Sequence, residues 1–245
     1  MNKTVLITGS ALRLGRAAAM HLAHKGWNIA LHYNRSESAA VQLSGELGSK
    51  FPDQKFETFA ADLLNTTATE SLIQSVTKNM GPLRALINNA SLFDPSFLSN
   101  TTAELFDAQI TVNLKAPLLL MRDFASICKK GVIINFVDTR ITNNRSNFAA
   151  YSLSKKALWE ATKMAALELG PHIRVNAIAP GLTLAPTEKD DDYLQNLSKH
   201  IAMQRPGGID PILTSIDYIL ENDYLTGQLL FCDGGENLGP VEKAL

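Results

Sequence analysis

Short runs of apolar and β-branched residues alternate with longer amphipathic stretches along most of the chain. The runs are TVLIT, NIALHY, KFETFAA, RALINN, GVIINFV, IRVNAIAP and QLLFCDGG. Between them the spacing of apolar positions predicts helices at 13–25, 36–49, 67–79, 102–127, 150–170 and 210–221. Strands that are apolar on both faces and alternate with helices are typical of a parallel sheet covered on both sides. The pattern therefore predicts a doubly wound α/β fold.

One segment, LTLAPTEKDDDYLQNLSKH at 182–200, interrupts this rhythm. It follows the carboxyl end of a predicted strand, where open α/β sheets bind ligands, so it is a candidate substrate lid. A solvated acidic helix start, with Asp190 to Asp192 near its positive end, explains the same residues, and the two interpretations are compatible. We find no repeat or linker, and interpret residues 1–245 as a single domain.

Composition narrows the classes of partner. The formal net charge is -1, so a broad basic surface for nucleic acid is not expected. The amino-terminal apolar run is too short for a signal peptide or a membrane span, which predicts a cytosolic protein. Cys128 and Cys232 are far apart, and His21 and His24 have no accompanying ligand pattern, so we predict neither a disulfide nor a metal site. The expected partners are small molecules and copies of the same chain.

A glycine-containing turn, TGSALRLGR at residues 8 to 16, follows the first strand and opens a helix. Gly9 permits a tight turn, Gly15 permits close approach of the backbone, and the helix start offers free N–H groups to a pyrophosphate. The second strand ends in HYNRS, where a basic residue favours the 2′-phosphate of NADP over NAD. Arg35 and Ser36 therefore predict NADP(H), although an arginine at a strand end is also an ordinary surface residue.

These motifs, together with NNAS at 88–91, Asn113, YxxxK at 151–155 and PG at 180–181, resemble the short-chain dehydrogenase/reductase family over nearly the whole chain. Four further features resemble the pteridine reductases within it, the dihydromonapterin reductases included. These features are Arg13 in place of a glycine, HYNRS, NNASLF in place of NNAG, and Asp138 in place of the usual serine. The resemblance implies a Rossmann fold, a pterin substrate and a homotetramer whose main contacts are the helices near 102–127 and 150–170.

The resemblance also implies roles for individual residues. Asp62 would meet the adenine, the backbone at 88–90 would run beside the adenine-side ribose, and Thr183 would lie near the nicotinamide carboxamide. Asn113 would support the lysine through water, and a helix kink or a polar packing role is the alternative interpretation. The implied cofactor site comprises Gly9, Arg13, Leu14, Gly15, Arg35, Ser36, Asp62, Leu63, Asn89, Ala90, Tyr151, Lys155, Pro180, Gly181 and Thr183.

Tyr151 and Lys155 carry the candidate acid–base chemistry. Residues four apart are neighbours on one face of a helix, and an ammonium beside a phenol would lower the phenol pKa from about 10. Tyr151 would then serve as an acid or base near neutral pH. A chance YxxxK on an amphipathic helix is the alternative interpretation.

Asp138 departs from the family pattern, because an ionised carboxylate accepts hydrogen bonds and cannot donate one to a carbonyl. A pterin offers N–H groups, and reduction of its C=N bond requires a proton on nitrogen, so Asp138 and Tyr151 are predicted to form the proton path. Phe93 would stack on the pterin, Arg13 would span cofactor phosphate and pterin, and Ser91 would add a hydrogen bond. Their alternatives are a core phenylalanine, a surface arginine and a turn serine.

The predicted function is NADPH-dependent reduction of a dihydropterin, such as dihydromonapterin or dihydrobiopterin, to the tetrahydro form, with dihydrofolate as a further candidate substrate. A general carbonyl reductase of the same family is the nearest alternative, since one fold serves many substrates. A non-catalytic NADP(H)-binding scaffold is the alternative from another class, and the intact Tyr151 and Lys155 argue against it.

Overall fold

A computed structural model, which describes residues 3–186 and 191–241, contains a parallel sheet of seven strands. The strands are β1 Lys3–Ile7, β2 Trp27–Tyr33, β3 Phe56–Ala60, β4 Ala85–Asn88, β5 Gly131–Phe136, β6 Ile173–Pro180 and β7 Leu229–Cys232. Their order is β3-β2-β1-β4-β5-β6-β7, so the chain reverses direction across the sheet between β1 and β4. The prediction of a single doubly wound α/β domain is confirmed, and the crevice between the ends of β1 and β4 is where such sheets bind ligands.

Eight α-helices occupy the described residues. They are α1 Arg13–His24, α2 Glu37–Lys50, α3 Thr66–Met80, α4 Ala103–Ile110, α5 Ala116–Cys128, α6 Ala149–Leu169, α7 Asp191–Ser198 and α8 Asp210–Glu221. The single helix predicted at 102–127 is divided into α4 and α5 by a π-helical turn at Thr111–Lys115. Helix α7 lies in the predicted lid and begins among its acidic residues. Asp190 and the rest of 187–190 lie outside the described residues, so the lid remains a prediction.

Apolar side chains on both faces of the sheet form the core. Leu6 on β1 faces the layer that includes Leu72 of α3 and Phe124 of α5, whereas Val5 beside it faces the layer that includes Ile216 of α8. All of these side chains but Leu72 are fully buried, and Leu72 is nearly so. Alternate residues of a strand point to opposite faces, so β1 contributes to both layers. Helices therefore close both faces of the sheet and leave its carboxyl edge for a ligand.

Candidate active site

A continuous cleft follows the carboxyl edge of the sheet and consists of three adjoining cavities of about 550, 230 and 630 Å³. The first lies over the glycine-rich turn and the end of β2, the second beside α6, and the third leads outward past Asp138. The first and second cavities share four lining residues, and the second and third share five. Of the site residues predicted from the sequence, only Asn113 does not line this cleft.

The backbone geometry of the glycine-rich turn requires glycine at two positions. Gly9 has a φ of +63°, in the left-handed region. A Cβ on Gly15 would overlap the carbonyl oxygen of Gly9, so α1 approaches the turn too closely for any other residue. Leu12 gives α1 no side-chain cap and its first turn has no acidic residue. The start of α1 thus keeps N–H groups and a positive dipole end for an anion, which fits a dinucleotide pyrophosphate.

Buried polar groups hold this turn from both sides. From the β4 side, Thr8 Oγ1 accepts hydrogen bonds from the backbone N–H groups of Asn89 at 2.9 Å and Ala90 at 3.0 Å. The Asn89 side chain donates to the carbonyl oxygens of Thr8 at 2.8 Å and Gly9 at 3.1 Å. From the β2 side, His32 accepts from the N–H of Gly9 at 2.9 Å. Sequence reasoning assigned no role to His32, because a lone histidine in a strand carries no recognisable pattern.

The end of the cleft beside β2 holds the residues predicted to contact the adenosine part of the cofactor. Arg35 and Ser36 line it together with Asp62 and Leu63. The Asp62 carboxylate accepts from the backbone N–H of Leu64 at 3.0 Å and from the Asn34 amide at 3.2 Å, so it shapes the loop after β3. Within the described residues Arg35 has no ion-pair partner, which leaves its guanidinium free for a phosphate.

The reacting end of the cleft brings together Asp138 and the first two turns of α6. The Tyr151 hydroxyl donates to Asp138 Oδ2 at 2.7 Å, and Asp138 Oδ1 accepts from the backbone N–H of Arg140 at 2.8 Å. Lys155 Nζ donates to the carbonyl oxygen of Phe136 at 2.8 Å and lies 5.7 Å from the centre of the Tyr151 ring. The side chains of Asp138, Tyr151 and Lys155 therefore form one group, as the sequence predicted.

The predicted effect of Lys155 on Tyr151 is wrong. Burial raises the pKa of Tyr151 well above 10, and the adjacent Asp138 carboxylate raises the pKa further. Lys155 directs its hydrogen bond to Phe136, and its own pKa falls from 10.5 to about 8 because it is buried, although Asp138 partly opposes this. In this structure Tyr151 is thus a protonated phenol at neutral pH, which can donate a proton but cannot accept one before it has done so.

Asn113 lies in the π-helical turn, as its interpretation as a kink residue predicted. Its Oδ1 accepts from the N–H of Leu92 at 2.9 Å and the hydroxyl of Ser91 at 3.0 Å. Its Nδ2 contacts the carbonyl oxygen of Leu92 and the side chains of Gln109 and Ser154. Asn113 therefore ties the loop after β4 to α6, and its support of Lys155 through water stays a prediction.

An aromatic cluster walls the outer cavity. Phe93 is 53% exposed, so its interpretation as a core residue is wrong. Its ring stacks on Phe148 with centroids 4.2 Å apart and meets the Tyr151 ring edge-on at 4.6 Å. Phe148 has a φ of +60°, which is rare for a bulky residue, and the Arg140 guanidinium lies 4.8 Å from its ring centre. Sequence reasoning missed Phe148, since only the folded loop brings it to Phe93.

Arg13 and Ser91 make contacts within the chain. The Arg13 guanidinium donates to the carbonyl oxygens of Ala185 at 3.1 Å and Leu184 at 3.3 Å. It thereby links the start of α1 to the first part of the predicted lid. The Ser91 hydroxyl donates to Asn113 and sits at the junction of the first two cavities. Both residues line the cleft, and their contacts with cofactor and pterin stay predictions.

The remaining candidates for special chemistry lie outside the cleft. Within residues 3–186 and 191–241, no group of three or more His, Cys, Asp or Glu side chains is placed to hold a metal ion. Across the same residues, no helix combines the length and apolar character that crossing a membrane requires. Cys128 and Cys232 are free and half-buried, and burial raises the pKa of each thiol. Both cysteines behave as packing groups at neutral pH.

Comparison with known proteins gives matches over nearly the full length. A family model described as short chain dehydrogenase matches residues 3–195. A dihydromonapterin reductase from Enterobacter sp. (strain 638) is 29% identical over 96% of this chain and 97% of that protein. A glucose 1-dehydrogenase from Gluconobacter oxydans (strain 621H) is 30% identical over 96% of this chain and 92% of that protein. Sequence identity alone thus does not separate a pterin substrate from a carbohydrate.

A solved structure adds a comparison of shape. The crystal structure of FolM, alternative dihydrofolate reductase 1, from Brucella canis complexed with NADP superposes with a TM-score of 0.90. It is 33% identical and the match covers 97% of this chain and 95% of that one. The fold described above is therefore the fold of a protein that binds NADP.

Proposed function

The chain belongs to the short-chain dehydrogenase family, and we propose that it is an NADPH-dependent reductase that converts a dihydropterin into its tetrahydro form. Dihydromonapterin, dihydrobiopterin and dihydrofolate are the candidate substrates. The observation that carries the proposal is the 2.7 Å hydrogen bond from Tyr151 to Asp138. It puts an acid where the family usually has a serine, and the names of the Enterobacter and Brucella relatives support the same substrate class.

NADP(H) fits the inner part of the cleft. The uncapped start of α1 would offer N–H groups to the pyrophosphate, and Arg35 and Ser36, which line the same cavity, would bind the 2′-phosphate. Pro180 and Thr183 line the cavity beside Tyr151, which suits the nicotinamide end. NADPH, when bound, supplies the hydride.

The chain's own contribution is the proton. Reduction of the C=N bond of a dihydropterin adds a hydride to carbon and a proton to nitrogen. In the proposed step the Tyr151 hydroxyl, which its raised pKa keeps protonated, gives its proton to the substrate nitrogen, and Asp138, to which that hydroxyl is hydrogen-bonded, connects Tyr151 to the replacement proton. Asp138 lines both the reacting cavity and the outer one, so a proton from solvent can reach Tyr151 along it. An ionised Asp138 also accepts hydrogen bonds from the N–H groups of a pterin, which a ketone does not offer.

A flat substrate is favoured by the aromatic wall. One face of Phe93 is covered by Phe148, and we propose that the other stacks on the pterin ring. Ser91 and Arg13 line the adjoining cavities and would add polar contacts. The outer cavity of about 630 Å³ leaves room for a side chain on the pterin.

Two alternatives are separated by assay. A general carbonyl reductase would oxidise NADPH with simple ketones or sugars, as the name of the Gluconobacter relative suggests for that protein. A non-catalytic scaffold would bind NADPH but would not oxidise it, whichever substrate is added. We expect purified protein to oxidise NADPH with at least one of the three dihydropterins and far more slowly with ketones. Turnover of ketones but of no dihydropterin would refute the proposal.

Replacement of Asp138 tests the proton path. We expect Asp138→Ser to lower kcat for dihydropterin reduction by about 10² to 10⁴, the usual contribution of a general acid or base. Asp138→Asn has nearly the same shape but no titrating proton, and should lose activity to a similar extent. NADPH binding, measured by fluorescence, should stay close to that of the parent. Full activity of either variant would remove Asp138 from the path.

A further inference from the structure

His32 connects the three strands that carry the cofactor site. It lies near the end of β2 and is 2% exposed. Its Nδ1 is 2.9 Å from the backbone nitrogen of Gly9, which follows β1, and its Nε2 is 3.0 Å from the carbonyl oxygen of Ala61, which follows β3. The imidazole thus joins the turn expected to hold the pyrophosphate to the residue before Asp62.

The two partners fix the chemical state of the ring. A backbone N–H can only donate, so Nδ1 must accept from Gly9, and a carbonyl oxygen can only accept, so Nε2 must carry the proton toward Ala61. The imidazole is therefore neutral with its proton on Nε2. Burial lowers the pKa of His32 to about 4, which agrees with a neutral ring at physiological pH.

The backbone of His32 holds the same turn. Its carbonyl oxygen accepts from the backbone N–H of Ser10 at 3.0 Å and from the Ser10 hydroxyl at 3.2 Å. Gly9 needs a positive φ, and the groups around it must hold that conformation for the start of α1 to face a phosphate. Side chain and backbone of one residue therefore fix two consecutive residues of the turn.

Asn28, four residues earlier on β2 and on the same face, makes a similar connection at the other end of the strand. Its side chain donates to Thr4 of β1 at 3.5 Å and accepts from the N–H of Lys55, just before β3, at 2.8 Å. It is 5% exposed. Asn28 bridges the same strands away from the cleft, so it separates an effect on the turn from a general effect on the sheet.

We propose that His32 is a positioning residue for NADP(H), whose neutral imidazole holds the Gly9 turn in the conformation that receives the cofactor pyrophosphate. This rests on the cofactor assigned under the proposed function but not on the identity of the substrate. Binding of NADPH tests it without any pterin, so failure of the pterin assignment and failure of this inference are distinguishable.

Two substitutions of His32 each keep one of the two hydrogen bonds of the ring and remove the other. Asparagine places its amide oxygen near the position of Nδ1, so His32→Asn keeps an acceptor for Gly9 and loses the bond to Ala61. Glutamine reaches the position of Nε2, so His32→Gln keeps a donor for Ala61 and leaves the buried N–H of Gly9 without an acceptor. Asn28→Leu is the matched control, since it removes the other bridge with little change in shape.

Kd for NADPH is measured by fluorescence titration, and Kd for adenosine 2′-monophosphate, which lacks the pyrophosphate, by calorimetry. We expect His32→Gln to raise Kd for NADPH about tenfold, and His32→Asn and Asn28→Leu to change it by less than about threefold. Binding of adenosine 2′-monophosphate to His32→Gln should stay within about twofold of the parent, because a bond to Ala61 remains.

An unchanged NADPH Kd in His32→Gln would overturn the proposal, as would equal weakening by both His32 variants or by Asn28→Leu. Thermal unfolding of each variant identifies any that fails to fold. The parent protein supplies a test that needs no variant. Its ¹⁵N spectrum should have Nδ1 of His32 as an unprotonated acceptor and a Gly9 amide protected from exchange, and a rapidly exchanging Gly9 amide would refute the proposal.

Discussion

Lys155 is a buried cation at the reacting end of the cleft, where function and stability make opposite demands. Burial lowers its pKa to about 8. Below that pH the buried side chain carries a charge, which lowers the free energy of unfolding. The nearby Asp138 carboxylate and the hydrogen bond to Phe136 offset part of this cost. The family resemblance implies that Lys155 belongs to the cofactor site, where a neutral apolar side chain could donate no hydrogen bond. We therefore expect Lys155 to serve function at the expense of stability.

Lys155→Met is expected to stabilise the fold and remove activity. The folded pKa of about 8 lies below the unfolded value of 10.5, so the destabilising cost is fully present below pH 8 and disappears as pH rises toward 10.5. We expect a gain of about 1 to 2 kcal/mol in unfolding free energy at pH 7, because the lost hydrogen bond cancels part of the burial cost.

Urea unfolding at pH 7 and at pH 9.5 measures the change, together with dihydropterin turnover. Lys156→Met is the matched control, since the ammonium of Lys156 bonds Asn144 at the surface and its loss should change stability by less than about 0.5 kcal/mol. Destabilisation by Lys155→Met at pH 7 would contradict the argument.

The helix that begins at Ala103 illustrates how an element is adapted to a site. The apolar spacing predicted one helix, and a continuous helical path is present, but the turn Thr111–Lys115 is π-helical. The wider turn places Asn113 where its amide bonds both the loop after β4 and Ser154 of α6. Such turns are common at functional sites. The loop with Ser91 and Phe93 is thereby fixed against the helix that carries Tyr151.

Helix α1 is expected to tolerate no side chain where it meets the glycine-rich turn. Gly15→Ala puts a methyl group into Gly9 and Asn89, so α1 must shift and the phosphate site must distort. We expect Kd for NADPH to rise at least about tenfold, with a loss of roughly 1 to 3 kcal/mol in unfolding free energy. Gly48→Ala in α2 is the control, since nothing lies within 4 Å of the added Cβ.

We expect Gly48→Ala to leave NADPH binding unchanged and to stabilise the protein by about 0.5 to 1 kcal/mol through helix propensity. Fluorescence titration and thermal unfolding measure both quantities. Tight NADPH binding by Gly15→Ala would contradict the close approach of α1 to the turn.

At the scale of the whole molecule, the three helices α4, α5 and α6 carry six large apolar side chains that are exposed to solvent. These side chains are Phe106, Leu118, Ile127, Leu153, Met164 and Leu167. Apolar side chains that are exposed together on one surface usually mark an interaction site. We propose that these helices join copies of the chain into the homotetramer that the family resemblance implies.

Leu167 is 87% exposed and Met164 is 69% exposed. We expect Leu167→Glu to convert tetramers into smaller species, because a buried, unpaired carboxylate at an interface costs several kcal/mol. Light scattering coupled to size-exclusion chromatography measures the mass. Val41→Glu on α2, where the side chain is 54% exposed, is the control and should leave the mass unchanged. A monomeric parent protein, or a tetramer that survives Leu167→Glu, would refute the proposed interface.

The sequence by itself determined the succession of strands and helices along the chain, the family, and most of the residues that line the cleft. Strand and helix periods are local properties, and the cofactor motifs depend on glycines and strand ends that are adjacent along the chain. The tertiary structure decided what depends on distant residues and on burial. It placed Phe148 against Phe93, gave His32 its partners Gly9 and Ala61, and raised rather than lowered the pKa of Tyr151. Desolvation and hydrogen bonding act only on groups that folding has brought together, so no local pattern could predict them.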